Sequence, residues 1–178
     1  MPSIIGLSSR MGAGKSTLAR ALSDAFGIPR ISFGDYVRSV ALQRGLPESR
    51  TALQELGESL VEEDAFSFTS SVLSTRWRNG AVVDGIRHLQ VLRAIRDIVA
   101  PVPVFLVYVE VDEAIRRQRL AQRGMSPEDI DAADRHSTEQ QVRETLRAAA
   151  ALRVSGDADP TLAVRLVAEA LQKRQAEG

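Results

Sequence analysis

The segment Ser9-Arg10-Met11-Gly12-Ala13-Gly14-Lys15-Ser16-Thr17 fits the spacing G-x-x-x-x-G-K-[ST] at every position but the first, where serine stands for glycine. Gly12 and Gly14 allow positive φ, so successive backbone N–H groups can turn inward and make a nest for an anion at the start of a helix. From that nest Lys15 is placed to reach the β- and γ-phosphates of a nucleoside triphosphate, and the Ser16 hydroxyl to serve a magnesium ion. Lysine is scarce in this chain: of 23 basic residues only Lys15 and Lys173 are not arginine, so its place in the nest asks for a specific reason. A nest binds phosphate; it names no reaction.

Other charged residues follow short apolar runs. In Ile31-Ser32-Phe33-Gly34-Asp35-Tyr36-Val37-Arg38 an acid precedes an arginine by three positions, one helical turn apart on the same face. That pair suits an arginine gripping a phosphate while Asp35 meets a sugar or hydroxyl; the plainer alternative is a capping aspartate beside a surface arginine. Val82-Val83-Asp84-Gly85-Ile86-Arg87 repeats the arrangement. Asp84 is read as serving magnesium or its waters, and Arg87 as pointing into the same crevice, unless the two simply pair with each other. Arg116, Arg119 and Arg123 share a helical face and repel unless an anion lies between them, whereas Arg117 suits a solvated surface. His88 and His136 have no carboxylate at ligand spacing, and neither is assigned a role.

These residues need elements to hold them. Short apolar strands are predicted over Ser3 to Ser8, Ile28 to Phe33, Gly80 to Gly85, Val102 to Val111 and Arg153 to Ser155. Helical spacing falls between them: Ser16 to Phe26, Gly34 to Arg44, Glu48 to Glu63, Asp64 to Trp77, His88 to Ile98, Asp112 to Arg123, Asp134 to Leu152 and Thr161 to Gln172. Ser126 to Ala133, polar and proline-containing, reads as a mobile connection. Alternating strands and helices imply an open parallel sheet with helices on both faces, and ligands then sit beyond the carboxyl ends of its strands. The charged residues above lie at those exits.

The 178 residues suffice for one buried core and are too few for two ordinary domains, so residues 1–178 are expected to form a single unit. Equal counts of basic and acidic residues and 4% aromatics offer little for a nucleic-acid track or an anionic membrane, which makes nucleic acid an improbable partner. No apolar run approaches membrane-spanning length, and the absence of cysteine removes disulfides and thiolate metal sites. A cytoplasmic location is expected.

Taken together, the segments resemble the nucleoside monophosphate kinase branch of the P-loop kinases. Met11-Gly12-Ala13-Gly14-Lys15-Ser16-Thr17 is similar to that family's phosphate loop, and Ile31 to Arg38 resembles the adenylate-kinase segment whose arginine holds the acceptor's phosphate. Val83-Asp84-Gly85-Ile86-Arg87 is similar to the aspartate-glycine segment with a second acceptor arginine, and Arg119-Leu120-Ala121-Gln122-Arg123-Gly124 resembles the lid arginines that close over ATP. Gly156 to Pro160 falls where such proteins contact the adenine ring by backbone. Gln54-Glu55-Leu56-Gly57 and Arg135-His136-Ser137-Thr138-Glu139 look closer to dephospho-coenzyme A kinase-like and phage deoxynucleotide kinase-like proteins.

The resemblance implies a three-layer α-β-α fold on a five-stranded parallel sheet, with a helical acceptor-binding region at 34–77 and a lid at 116–136. It implies ATP and Mg²⁺ as cofactors and small-molecule nucleotides as substrates. Lys15, Arg87, Arg119, Arg123 and Asp84 are the expected catalytic groups; Met11 to Thr17 and Arg119 bind ATP, Asp35, Arg38 and Arg87 bind the acceptor, and Ser16 and Asp84 hold the metal. The expected reaction moves the γ-phosphoryl of ATP to a nucleoside or deoxynucleoside monophosphate. The alternatives are a hydroxyl acceptor (dephospho-coenzyme A, a nucleoside or a modified DNA base), or an ATPase or nucleotide-binding adaptor without transfer. A guanine-reading switch is disfavoured, because the only asparagine, Asn79, precedes glycine rather than lysine.

Overall fold

The computed structural model describes residues 3–135, 139–140 and 142–177. Strands β1 (Ile4–Ser9), β2 (Arg30–Ser32), β3 (Ala81–Asp84), β4 (Val104–Glu110) and β5 (Leu152–Ser155) form one sheet in the order β2-β3-β1-β4-β5, and every neighbouring pair is parallel. Helices α1 (Lys15–Phe26), α2 (Phe33–Gln43), α3 (Arg50–Leu73), α4 (Leu89–Val99), α5 (Glu113–Gln122), α6 (Pro127–Asp134) and α7 (Pro160–Glu177) connect or follow them.

The apolar runs of β1 and β4 are buried because both sheet faces are covered. Val37, Val72 and Leu92, from α2, α3 and α4, pack with Ile4 and Leu106 on one face; Leu22 and Val167, from α1 and α7, pack with Ile5 and Val107 on the other. Central β1 therefore delivers its following loop to the middle of the sheet's carboxyl edge, with β3 on one side and β4 on the other. Among the described residues no helix is long and apolar enough to cross a membrane.

Three local readings are refined by the structure. α3 is two helical halves joined across a kink at Asp64, which is non-helical (φ −164°, ψ 95°) and whose carboxylate accepts from the Ser67 N–H at 2.9 Å and the Ser67 hydroxyl at 2.6 Å. Asp64 thus caps the second half, at the boundary predicted between two helices. The stretch expected to be a mobile connection is instead helix α6. Ser126 and Asp129 form a reciprocal capping box, Pro127 takes the first turn, and Ile130 packs against Met11 and Leu120. Of the helix expected over 134–152, the described residues 139–140 and Arg147–Ala149 are α-helical, and Val142–Leu146 between them takes the wider π-helical form. Val142 and Leu146, four residues apart, are both fully buried, so tertiary packing decides this segment. His136, Ser137 and Thr138 lie outside the described residues.

β5 ends beside the phosphate loop. A Cβ built on Gly156 would lie 1.8 Å from the Ala13 carbonyl oxygen and 2.9 Å from Val109 Cγ1, so only glycine permits this approach of backbone to backbone. Gly156→Ala is expected to lower stability by about 1–3 kcal/mol through overpacking against the loop. Urea unfolding checks this, and an unchanged midpoint would contradict it.

Candidate functional site

The loop after β1 has the conformation that its glycines were chosen for. Gly12 (φ 85°) and Gly14 (φ 89°) both take positive φ, and Gly14 caps α1, with its carbonyl accepting from the Thr17 and Leu18 N–H groups. Ser9, standing where the motif has glycine, is the last residue of β1 and pairs in register with Val109; its backbone is extended, so no glycine is needed there. A buried arginine props the loop from behind. Arg116, only 1% exposed, donates to the Met11 carbonyl at 3.3 Å and to Glu113 at 2.7 and 3.0 Å, and also bonds Asp134. Arg10 joins the same two carboxylates at 2.7 and 3.0 Å. Arg116 is therefore a neutralised scaffold residue rather than part of a phosphate-facing arginine stripe. Its acidic partner Asp134 lies 18 positions away and gives no local signal. Arg117, as expected of a surface residue, pairs with Asp131 at 2.8 Å.

In front of the loop lies a cavity of ≈ 400 Å³, and Lys15, Ser16, Asp35, Arg38, Asp84 and Arg87 all line it. Residues singled out at three separate strand exits thus face one space. Asp84, 1% exposed, accepts from the Lys15 ammonium through Oδ1, and from Arg30 Nε at 3.0 Å and Nη2 at 2.7 Å through Oδ2. Burial pushes the Asp84 carboxyl up, but Lys15 and Arg30 outweigh it and hold the group below its ordinary value. Burial likewise lowers the Lys15 ammonium, against the opposing pull of Asp84. Arg30 also bonds Asp35 at 2.9 Å, and Arg38 approaches the other Asp35 oxygen at 3.3 Å, so both carboxylates at this edge are already engaged.

Asp84 and Arg87 do not take each other as partners. Arg87 instead bonds Glu139, a carboxylate 3% exposed, whose second oxygen accepts from the Met11 N–H at 3.4 Å. Burial, and then the like charge of Arg50, push the Arg87 guanidinium down to about 10, so it stays cationic at neutral pH. Partial desolvation, and then the like charge of Arg123, push Arg50 down in turn. An anion among these three guanidiniums relieves their repulsion.

Arg119 and Arg123 line a second cavity of ≈ 310 Å³ on the far side of the loop, with Gly14, Thr17, Gly156 and Asp157. Arg119 Nη1 donates to the Gly156 carbonyl at 3.0 Å. The segment expected beside an adenine ring and the expected lid arginines thus share a wall. For a magnesium ion, the Asp84 carboxylate and the Ser16 hydroxyl offer the hard oxygen donors it takes, both at the rim of the ≈ 400 Å³ cavity. Asp84 Oδ1 is occupied by the Lys15 ammonium.

Sequence reasoning passes over Arg30 and Arg50, and gives no site role to His88 or to Gln54 and Glu139, which it names only within two segments of family resemblance. Nothing distinguishes Arg30 or Arg50 from other arginines in this arginine-rich chain. His88, expected to start a helix or lie in a loop, stands at the N-cap position of α4 and also forms part of the cavity wall.

The AAA domain family profile matches residues 5–145. A UPF0200 protein of Thermococcus sibiricus is 30% identical over 65% of this chain, which spans 63% of that relative's length. A cytidylate kinase of a Methylobacterium species is 30% identical, covering 87% of this chain and 86% of that protein. Among solved structures, shikimate kinase from Aquifex aeolicus superposes with a TM-score of 0.63 at 18% identity, over 98% of this chain and 99% of that one. The five-stranded parallel sheet with flanking helices is the α/β P-loop kinase fold.

The Asp84 contacts set a pH dependence. A carboxyl whose folded value lies below its unfolded value of about 3.9 binds fewer protons when folded. Its stabilisation is complete well above that value and is lost as pH falls through the folded value. Wild-type stability is therefore expected to drop below about pH 4. Asp84→Asn should be less stable at neutral pH and show a shallower acid limb; parallel acid limbs in urea titrations would contradict the assignment.

Proposed function

The chain belongs to the AAA domain family, and on that premise we propose that it transfers the γ-phosphoryl group of ATP, with magnesium, to a nucleoside or deoxynucleoside monophosphate. The observation that carries this reading is the ≈ 400 Å³ cavity in which Lys15 and Ser16 of the phosphate nest face Arg38, Arg50 and Arg87. Five cationic side chains (those three, Lys15 and Arg30) line it with three carboxylates, Asp35, Glu58 and Asp84, while Glu48 and Glu139 approach Arg38 and Arg87 from beyond the lining. The guanidinium donors of Arg38, Arg50 and Arg87 suit the dianion of a phosphate monoester.

On this reading the nest amides hold the triphosphate, and Lys15 exchanges Asp84 for the phosphates. Arg30 stays on Asp84, so the carboxylate is not left uncompensated when Lys15 moves. Magnesium, held by Ser16 and Asp84, would neutralise charge on the phosphate oxygens. The adenine belongs in the cavity between Arg119 and Gly156, with Arg119 and Arg123 as lid cations over the phosphates. Arg38 and Arg87 clamp the acceptor's phosphate, which is already an anion and requires no general base. Phe33, Val61 and Phe68 offer an apolar slot for the acceptor's base. The Gln54 amide nitrogen, buried with no hydrogen-bond partner among the described residues, offers that base a donor.

Residues 34–77 then act as the acceptor region and 116–136 as the lid of a single unit, 1–178. The absence of cysteine suits work in a reducing cytoplasm.

A coupled assay across nucleoside monophosphates, nucleosides and dephospho-coenzyme A, with mass detection of the product, tests the reading. Lys15→Ala should lower turnover roughly 10³-fold. Arg38→Ala should raise the KM for the acceptor, and Asp35→Asn should cost only a few-fold in kcat. Collapse of kcat in Asp35→Asn would point to a hydroxyl acceptor. ATP consumption without any phosphorylated product would overturn transfer altogether.

A further inference from the structure

Glu139 is a buried carboxylate that does not line the acceptor cavity, yet it touches both halves of the site. One oxygen accepts from Arg87 Nη2, and Arg87 is part of the cavity wall; the other accepts from the Met11 N–H within the phosphate loop at 3.4 Å. A carboxylate this buried is costly unless each oxygen is compensated. Here the compensation comes from two groups that serve different ligands. The side chain is also firmly delivered: three residues beyond it Val142 enters the main core, followed by Leu146, both fully buried.

A carboxylate engaging one terminal nitrogen of a guanidinium restrains the head and leaves its other N–H donors available. Arg87 lines the cavity, so those donors are at hand for a ligand there. The repulsion between Arg87 and Arg50 would otherwise favour orientations that separate the two heads, and Glu139 opposes this from behind. Through its second oxygen the same carboxylate fixes the amide of Met11, whose carbonyl is held by Arg116. A shift of Arg87 toward a bound phosphate is thereby transmitted to the loop that holds the other phosphates.

We infer that Glu139 is a positioning residue that aims Arg87 at the acceptor's phosphate and couples acceptor binding to the phosphate loop. The inference rests on the phosphotransferase reading above. It adds that occupancy of one half of the site alters affinity at the other, with Glu139 as the physical link.

The test uses the full chain in EDTA, so that binding is measured without turnover. ATP and cytidine monophosphate are each titrated calorimetrically alone, and then into protein saturated with the other, for wild type, Glu139→Ala, Glu139→Gln, Arg87→Ala and the Arg87→Ala/Glu139→Ala double variant. In wild type each ligand should tighten the other by about fivefold or more. Glu139→Ala should weaken the monophosphate by about tenfold and bring the coupling to unity, while the double variant binds the monophosphate no more weakly than Arg87→Ala alone. Glu139→Gln, which keeps the hydrogen-bond acceptor but not the charge, should fall between wild type and Glu139→Ala, and it serves if Glu139→Ala does not fold.

Effects that multiply in the double variant would overturn the inference, as would intact coupling in Glu139→Ala or Glu139→Gln, or the absence of coupling in wild type. Wild type that binds ATP but neither cytidine monophosphate nor, titrated in its place, any other nucleoside or deoxynucleoside monophosphate would remove the acceptor reading and this inference with it. Wild type that binds neither would remove the nucleotide reading as well.

Discussion

The arrangement at the carboxyl edge of the sheet depends on how one buried carboxylate is compensated. Asp84 ends β3 with almost no exposure, and a lone carboxylate there would be strongly disfavoured. Lys15 takes one of its oxygens and Arg30 the other, which draws β2, β3 and the phosphate loop to one point. From Arg30 the network runs on to Asp35 and Arg38. Because Arg30 occupies Oδ2 through two N–H groups, Lys15 can leave Oδ1 without stranding the charge. The lysine is thereby stored next to the place where a triphosphate's charge would need it.

The sheet makes this convergence possible. In a parallel sheet every strand empties at the same edge, so residues distant in the chain meet there without long connections. The price in side-chain freedom falls on glycine. Gly12 and Gly14 turn the loop, and Gly156 lets the end of β5 lie against the Ala13 carbonyl. Behind the loop, Arg116 joins Met11 to Glu113 and Asp134, so the nest is braced by ion pairs as well as by its own hydrogen bonds. The loop is thus held in shape before any anion arrives, and the ordering cost of binding is reduced.

The sheet, the helices flanking it and the phosphate loop were legible in the sequence, because each is encoded over a few adjacent residues. Apolar runs gave the strands, and Gly12, Gly14, Lys15 and Ser16 gave the nest. Asp35, Arg38, Asp84 and Arg87 could be chosen because position at a strand exit is itself a local feature. The partners of those residues were not legible. Arg30 reaches Asp84 across 54 positions and Glu139 reaches Arg87 across 52, and no periodicity marks either pair. Helical spacing put Arg116 and Arg119 on one face, yet one is neutralised inside and the other reaches the Gly156 carbonyl. Spacing along a helix sets direction; it does not report what waits at the end of the side chain. Segment 126–133 reads as a connection in the sequence for a related reason: its capping residues are polar, and composition alone does not separate a capped helix from a loop.

Charge engagement also bears on what the acceptor brings. A hydroxyl acceptor needs a carboxylate able to take or orient its proton. Asp84 is committed to Lys15 and Arg30, which hold its carboxyl below the ordinary value, and Asp35 bonds Arg30 and Arg38. Freeing either would expose a guanidinium to the same cavity and add positive charge. On the proposed reading a phosphate acceptor would reverse the balance: it would supply its own anionic nucleophile, meet Arg38 and Arg87, and leave both carboxylates where they are. The proposal of a monophosphate acceptor rests on that balance.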